Sequence, residues 1–357
     1  MTGAPFRVGL TRDFLNASGE IGWGDIGLAL LDEAPGVEWD FLGADVADLR
    51  VEDVGGWDAL LVLAPTVRAA ALQGVERLRV VARFGVGYDN VDVEACAERG
   101  VLVTITPDGV RRPVAVAGLT LVLATAHRLV AKDRLIRDGR WAEKLDHMGM
   151  GLTGRTLGSV GFGNIAWELF ALAAPLGMRH VAADPNVDAA EARELGVDLL
   201  SLEDLLSVAD VVVVNAALSA GTHHLLDGPK LALMKPSAYL VNVARGPIVD
   251  QAALTEALRQ GRIAGAGLDV FEQEPIDPSD PLLMLDNVIL APHAIAWTDE
   301  LALGNGTSAC RAILAVAEGR VPDHVVNPAA LQHPRWQGAA VRPAPPRVLP
   351  RPGRPVA

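Results

Sequence analysis

Cysteine is almost missing from this chain. Cys96 and Cys310 are the only two in 357 residues, and neither sits in a metal-ligand spacing. A disulfide framework is excluded, and a reduced, cytoplasmic protein is the expectation. Long apolar runs are missing too. Half of the composition is hydrophobic, yet the apolar stretches are strand-length and broken by Gly, Asp or Pro. None reaches the ~20 residues that a membrane helix needs, so no membrane association is expected. Residues Met1 to Arg7 lack a basic region followed by an apolar stretch, so no secretion signal is expected. Positive charge is scarce, with 31 Lys and Arg against 44 Asp and Glu and a net charge of −13. That balance argues against nucleic acid as a partner. No H-E-x-x-H, C-x-x-C or G-x-S-x-G occurs, which leaves no sign of a zinc site or a serine hydrolase. The adjacent His223-His224 pair, which on a strand would point to opposite faces, is read as no metal site.

What is present is a glycine turn in an informative setting. Thr156 to Val160 reads as a short apolar strand running into Gly161-Phe162-Gly163-Asn164-Ile165-Ala166, and a helix-forming stretch, Trp167 to Ala174, comes next. Strand, G-x-G-x-x-A and helix together point to a dinucleotide. The first glycine permits the tight turn, the second lets a pyrophosphate approach the backbone, and the small Ala166 lets the helix pack against the strand. The helix N-terminus then offers N–H groups and a partial positive charge to the phosphates. A second apolar strand, Met178 to Ala183, ends in Asp184, where a carboxylate would meet the adenosine ribose hydroxyls. Asp184 would repel a 2′-phosphate and Pro185-Asn186 offers no basic residue to receive one, so NAD is expected rather than NADP.

Strand-like segments at Phe6 to Leu10, Val37 to Phe41, Ala59 to Leu63, Arg79 to Phe84 and Val101 to Ile105 alternate with helical stretches such as Ile26 to Glu33 and Val91 to Glu98. Thr106-Pro107-Asp108-Gly109 is read as a break, followed by a long apolar helix over Pro113 to Ala126. Further strands are expected at Val211 to Val214, Ala238 to Val243, Gly265 to Val270 and Val288 to Leu290. Strand–helix alternation implies parallel sheets covered on both faces. A final helix, about Thr298 to Glu318, is too late to be another crossover and would carry the chain back to the first domain. The expected architecture is therefore α/β, with two doubly wound parallel-sheet domains and an interdomain cleft. A discontinuous, flavodoxin-like substrate domain would span residues 1–107 and 297–332, and a Rossmann NAD-binding domain residues 108–296. The last 25 residues, with seven prolines, five arginines and no acid, read as a disordered tail over 333–357.

Ligands of doubly wound sheets bind outside the carboxyl ends of the strands. After successive strands of the second domain come Gly161-Phe162-Gly163, Asp184, Asn215, Ala244-Arg245-Gly246, Asp269 and Pro292-His293. Arg245, Glu274 and His293 are thus expected to converge beside the cofactor. An arginine can fork onto a carboxylate and its neighbouring oxygen. A histidine can exchange a hydroxyl proton while hydride moves to or from the same carbon, and a glutamate can hold its ring in place.

These residues resemble the D-isomer-specific 2-hydroxyacid dehydrogenase family over about residues 6–328. The resemblance is carried by Arg83-Phe84-Gly85-Val86-Gly87-Tyr88-Asp89-Asn90-Val91-Asp92, the glycine motif, Asn242-Val243-Ala244-Arg245-Gly246, Leu268-Asp269-Val270-Phe271 with Glu274-Pro275, and Ala291-Pro292-His293. It implies a catalytic set of Arg245, Glu274 and His293, and substrate-carboxylate binding by the N–H groups of Val86 and Gly87. It also implies cofactor contacts from Gly161, Gly163, Asn164, Ile165, Asp184, Ala216, Val243, Ala244, Asp269 and Ala296. The substrate would be a small anionic 2-hydroxy or 2-oxo acid, and the assembly a homodimer. Three stretches depart from the family pattern: Val114-Ala115-Val116-Ala117 lacks the usual acid, Ala217-Leu218-Ser219 replaces Pro-Leu-Thr, and Ala294-Ile295-Ala296-Trp297 replaces a glycine-rich run. Trp297 stands where D-lactate dehydrogenases carry a tyrosine and is expected to narrow the substrate pocket. Two other readings stay open, an NAD(H)-sensing protein like the corepressors built on this scaffold and a phosphite dehydrogenase-like oxidoreductase. Formate dehydrogenases pair their histidine with glutamine, and Glu274 argues against that chemistry.

Overall fold

The computed structural model describes residues 4–338, which divide into two compact units: residues 4–110 with 297–338, and residues 111–296. The first contains a five-stranded parallel sheet of β1 (Phe6–Leu10), β2 (Val37–Phe41), β3 (Ala59–Val62), β4 (Val80–Arg83) and β5 (Leu102–Thr104), in the order β2-β1-β3-β4-β5. This is the flavodoxin-like order, and its strand order reverses between β1 and β3. Leu60, Val62, Val81 and Val103 face a cluster that includes Leu72, Leu78 and Cys96. The long helix Asp299–Ala317 packs against β3 and β4, so the chain does return to this sheet after leaving the second.

The second unit is a seven-stranded parallel sheet of β6 (Thr156–Val160), β7 (Arg179–Ala183), β8 (Val197–Leu199), β9 (Val211–Val214), β10 (Tyr239–Asn242), β11 (Gly265–Leu268) and β12 (Val288–Leu290), in the order β12-β11-β10-β9-β6-β7-β8. Reversal between β9 and β6 is the Rossmann switch point. Four consecutive valines make β9 because both faces are covered. Val211 and Val213 join Leu157, Phe162 and Phe170 on one side, and Val212 and Val214 join Leu205, Leu226 and Leu254 on the other.

Several expectations need correction. Thr106 to Gly109 does not break the pattern, because the helix begins at Pro107 and runs to Ala126. Proline at a first helical position gives up an N–H that has no partner there anyway, and Asp108 complements the helix dipole. That helix is also long and apolar enough to cross a membrane, contrary to the reading of run lengths, although 56% of its apolar window is buried within the protein. Strand β8 was not expected: it is only three residues long, and the exposed Asp198 separates its two apolar residues. His223 and His224 lie in a turn rather than on a strand, with stacked rings 4.1 Å apart. The tail does not begin at 333. His333 packs on Gly100, Arg335 donates to the carbonyls of Leu78 and Glu76, and the buried Trp336 donates from Nε1 to the Gly100 carbonyl at 2.7 Å. An indole and a cation with partners dock this stretch despite its proline content. Residues 339–357 of the expected tail lie outside the described residues.

Candidate active site

Strand register sets the site. Ala183, Val160, Val214, Asn242, Leu268 and Leu290 are paired in succession across the second sheet, so six strands end in one row. The residues just past these ends lie along one rim, spaced by about 4.8 Å per strand.

At the switch point, Gly161 has φ +90°, and a Cβ there would sit 2.7 Å from the Ala216 nitrogen. Only glycine permits that turn so close to the end of β9. Gly163, extended at φ −90° and ψ −169°, caps the helix Asn164–Ala173, and a Cβ there would meet open space. A bare, exposed turn at a helix N-terminus is a cradle that fits a dinucleotide pyrophosphate. Asp184 closes it, with Oδ2 accepting from the Phe162 N–H and Oδ1 from the Asn186 N–H, both at 2.9 Å. The carboxylate therefore also fixes the turn, and its remaining lone pairs are what a ribose could use.

Farther along the rim, Asn242 is buried and brackets the turn after β10. Its Oδ1 accepts from the Ala244 N–H, and its Nδ2 donates to the Arg245 carbonyl, both at 3.0 Å. Arg245 Nη1 donates to the Ala244 carbonyl at 2.9 Å. Gly246 is required next, because a Cβ there would overlap the Phe271 carbonyl. This close approach brings Arg245 to the loop that carries Glu274. Glu274 Oε1 accepts from the Phe271 N–H at 3.0 Å, and Oε2 lies 2.7 Å from His293 Nδ1. Burial works to raise the Glu274 carboxyl, but the His293 ring, the Phe271 N–H and the nearby charges of His293 and Arg245 outweigh it and hold it below the ordinary carboxylate range. An ionised carboxylate only accepts, so Nδ1 carries the proton in this pair and Nε2 is left to face a ligand.

His293 itself is in the left-handed region at φ 54°, a conformation that costs a non-glycine residue roughly 1–2 kcal/mol. Asp269 holds it there by accepting the Ala294 and Ile295 N–H groups on Oδ1, at 2.9 and 3.1 Å. Burial pushes the Asp269 carboxyl up, against those two N–H groups. Sequence reasoning did not single out Asn242 as a bracket, nor the hydrogen bond between His224 Nε2 and Glu272 Oε1 at 2.7 Å, which ties the 217–226 loop to the loop holding Glu274. An asparagine ending an otherwise apolar strand was the available signal for the first. Arg111 and Arg112, which start the long apolar stretch, pair with the buried Glu168 on the glycine-turn helix.

Of the remaining expected residues, Val243 and Ala244 are half-buried on the turn after β10, and Ala296 is buried after the histidine loop. Val86, Gly87 and Trp297 belong to the other unit. Val86 and Gly87 follow β4 in a turn fixed by Arg83, which donates to the Val62 and Phe84 carbonyls, and by Thr106, whose N–H donates to the Gly85 carbonyl. Among the described residues, neither the Val86 nor the Gly87 N–H has a hydrogen-bond partner.

Residues 119–294 match the NAD binding domain of the D-isomer specific 2-hydroxyacid dehydrogenases. A glyoxylate reductase of Korarchaeum cryptofilum is 40% identical over 281 residues, covering 78% of this chain and 85% of the relative. The chain belongs to the D-isomer specific 2-hydroxyacid dehydrogenase family. Among solved structures, the TT0316 protein from Thermus thermophilus is similar with a TM-score of 0.79 and 36% identity, covering 90% of this chain and 99% of that one. D-lactate dehydrogenase from Aquifex aeolicus, complexed with NAD and lactic acid, has a TM-score of 0.76 and 25% identity over 87% of this chain and 96% of that one. This D-2-hydroxyacid dehydrogenase is thus an oxidoreductase with a nicotinamide cofactor.

Proposed function

We propose that this dehydrogenase interconverts a small 2-oxo acid and its D-2-hydroxy acid with NAD(H), using Arg245, Glu274 and His293. The bound nicotinamide supplies or accepts the hydride at carbon 2. His293 gives a proton from Nε2 to the developing alkoxide during reduction and takes it back in oxidation. Glu274 keeps the opposite nitrogen protonated and the ring in place, and its ionised state steadies the imidazolium. Arg245 forks onto the substrate carboxylate and the 2-oxygen, where negative charge grows. The N–H groups of Val86 and Gly87 take the other side of that carboxylate, and Trp297 bounds the substrate's far end. Asp184 disfavours a 2′-phosphate, which supports NAD over NADP.

The observation that carries this reading is the Glu274–His293 pair, 2.7 Å apart and under the charge of Arg245, on the rim that begins with the glycine turn. It is tested by following nicotinamide absorbance with a panel of 2-oxo acids and either NADH or NADPH. Turnover with NADH well above NADPH is expected. Tight NADH binding with no oxo acid reduced would point to a sensor instead, and equal kcat/KM for the two cofactors would sink the NAD assignment.

A further inference from the structure

In the first unit a hollow of about 410 Å³ is lined by Asp13, Phe14, Leu15, Trp23, Trp297 and Asp299, among others. It opens just past the carboxyl end of β1, at the point where the order of this sheet reverses, the place where doubly wound sheets receive ligands. Its volume lies within the range of small-molecule sites. The aromatic side chains form one connected wall. Trp297 lies 4.2 Å from Trp23, Trp23 lies 5.3 Å from Phe84, and Phe84 lies 5.0 Å edge-on to Phe14. Phe84 is two residues before Val86, so this wall runs from the hollow to the turn that, in our reading of the function, holds the substrate carboxylate. Trp297 is 55% exposed, so part of its ring is open to a ligand.

Glyoxylate carries only hydrogen on its carbonyl carbon beside the carboxylate and would leave such a hollow unused. The polar residues lining it are Asp13, Asn16, Thr298 and Asp299, and no basic residue is among them. A second carboxylate on the substrate would therefore meet two acids and no cation. We propose that this hollow receives the substrate's side chain and that the preferred substrates are 2-oxo acids bearing an aromatic group. The proposal rests on the dehydrogenase reading above and adds a substrate class to it. Flat rings fit offset or edge-on against indole and phenyl faces, and filling the apolar, aromatic side of the hollow can discriminate by tenfold or more between ligands.

The test compares kcat/KM with NADH for phenylpyruvate, glyoxylate and 2-oxoglutarate. Phenylpyruvate is expected to exceed both by at least tenfold. Trp23→Ala removes part of the wall and should lower the phenylpyruvate-to-glyoxylate ratio about tenfold. Gly22→Leu, at a position where a Cβ comes no closer than 3.4 Å to Asn16, intrudes on the hollow and should lower the same ratio. Melting temperatures identify a variant that has simply unfolded, and the wild-type ratio stands without either variant. Glyoxylate or 2-oxoglutarate used as well as phenylpyruvate would overturn the proposal while leaving the dehydrogenase reading intact. Failure to reduce any of the three would remove both.

Discussion

At the ends of β6, β10, β11 and β12 the chain places a glycine turn, an arginine, two carboxylates and a histidine. Past the ends of β1 and β4 in the other sheet it places backbone N–H groups, a half-buried aspartate and aromatic rings that Trp297, before the last long helix, joins into a wall. Both sheets are parallel and doubly wound, with their strand ends aligned by register. One therefore supplies groups that carry charge and protons, and the other supplies shape. Chemistry demands particular residue types at turns right after strands. Shape can be assembled from residues far apart in sequence, such as Phe14, Trp23, Phe84 and Trp297.

The most damaging way to probe the chemical half is His293→Ala. Turnover should fall by ~10²–10⁴-fold while NADH affinity, measured by fluorescence titration, stays nearly unchanged because the glycine turn is untouched. Next is Arg245→Lys. A point ammonium cannot reproduce two parallel hydrogen bonds, so KM should rise and kcat fall, with kcat/KM down about 10–100-fold. A kinetically silent Arg245→Lys would mean that the substrate anion is held by another group.

A smaller effect is expected from stability probes, one in each unit. Trp336→Ala empties a buried site and loses the bond to the Gly100 carbonyl, and should cost ~3 kcal/mol or more. An unchanged melting temperature would restore the idea that the tail begins at 333. In the other unit, burial tends to raise the Asp210 carboxyl, but the Thr156 N–H, Lys235 and Arg155 outweigh it, so the folded group sits below its ordinary value. A depressed carboxyl contributes stability above its unfolded pKa and loses it as pH falls through the folded value. Asp210→Asn should therefore cost roughly 1–3 kcal/mol at pH 7. The gap between variant and wild type in thermal melts should close as the pH drops below the ordinary carboxylate range. A gap that is constant with pH would assign Asp210 a packing role only.

The same contrast explains which features were legible in the sequence. β1, β2, β6, β9 and β12 were expected with the bounds they have: β1, β6 and β9 end at a polar or glycine residue, β12 is a short apolar run, and β2 alternates apolar and acidic residues. Arg245, Glu274 and His293 were legible as neighbours because residues that directly follow aligned strands, or lie a few positions beyond, share a rim. Features that were not legible depended on partners distant in the chain. The packing of His333 to Trp336 needs Gly100 and the carbonyls of Glu76 and Leu78. The hollow needs the 13–23 segment to fold back, which it does through the Leu15–Ile21 bridge and the Asn16 turn. Pro107 and Gly109 look like a break until the helix around them is seen to accept proline at its start.

The central claim is that Glu274 acts through His293 and that the pair works as one acid–base unit. A double-mutant cycle tests it most directly, with kcat measured for His293→Ala, Glu274→Gln and the double variant at saturating NADH and oxo acid. If the two act as one unit, the double variant should be no slower than His293→Ala within about threefold, as expected when removing one member already disables the set. Losses that multiply in the double variant would show that Glu274 and His293 act independently and would contradict this account.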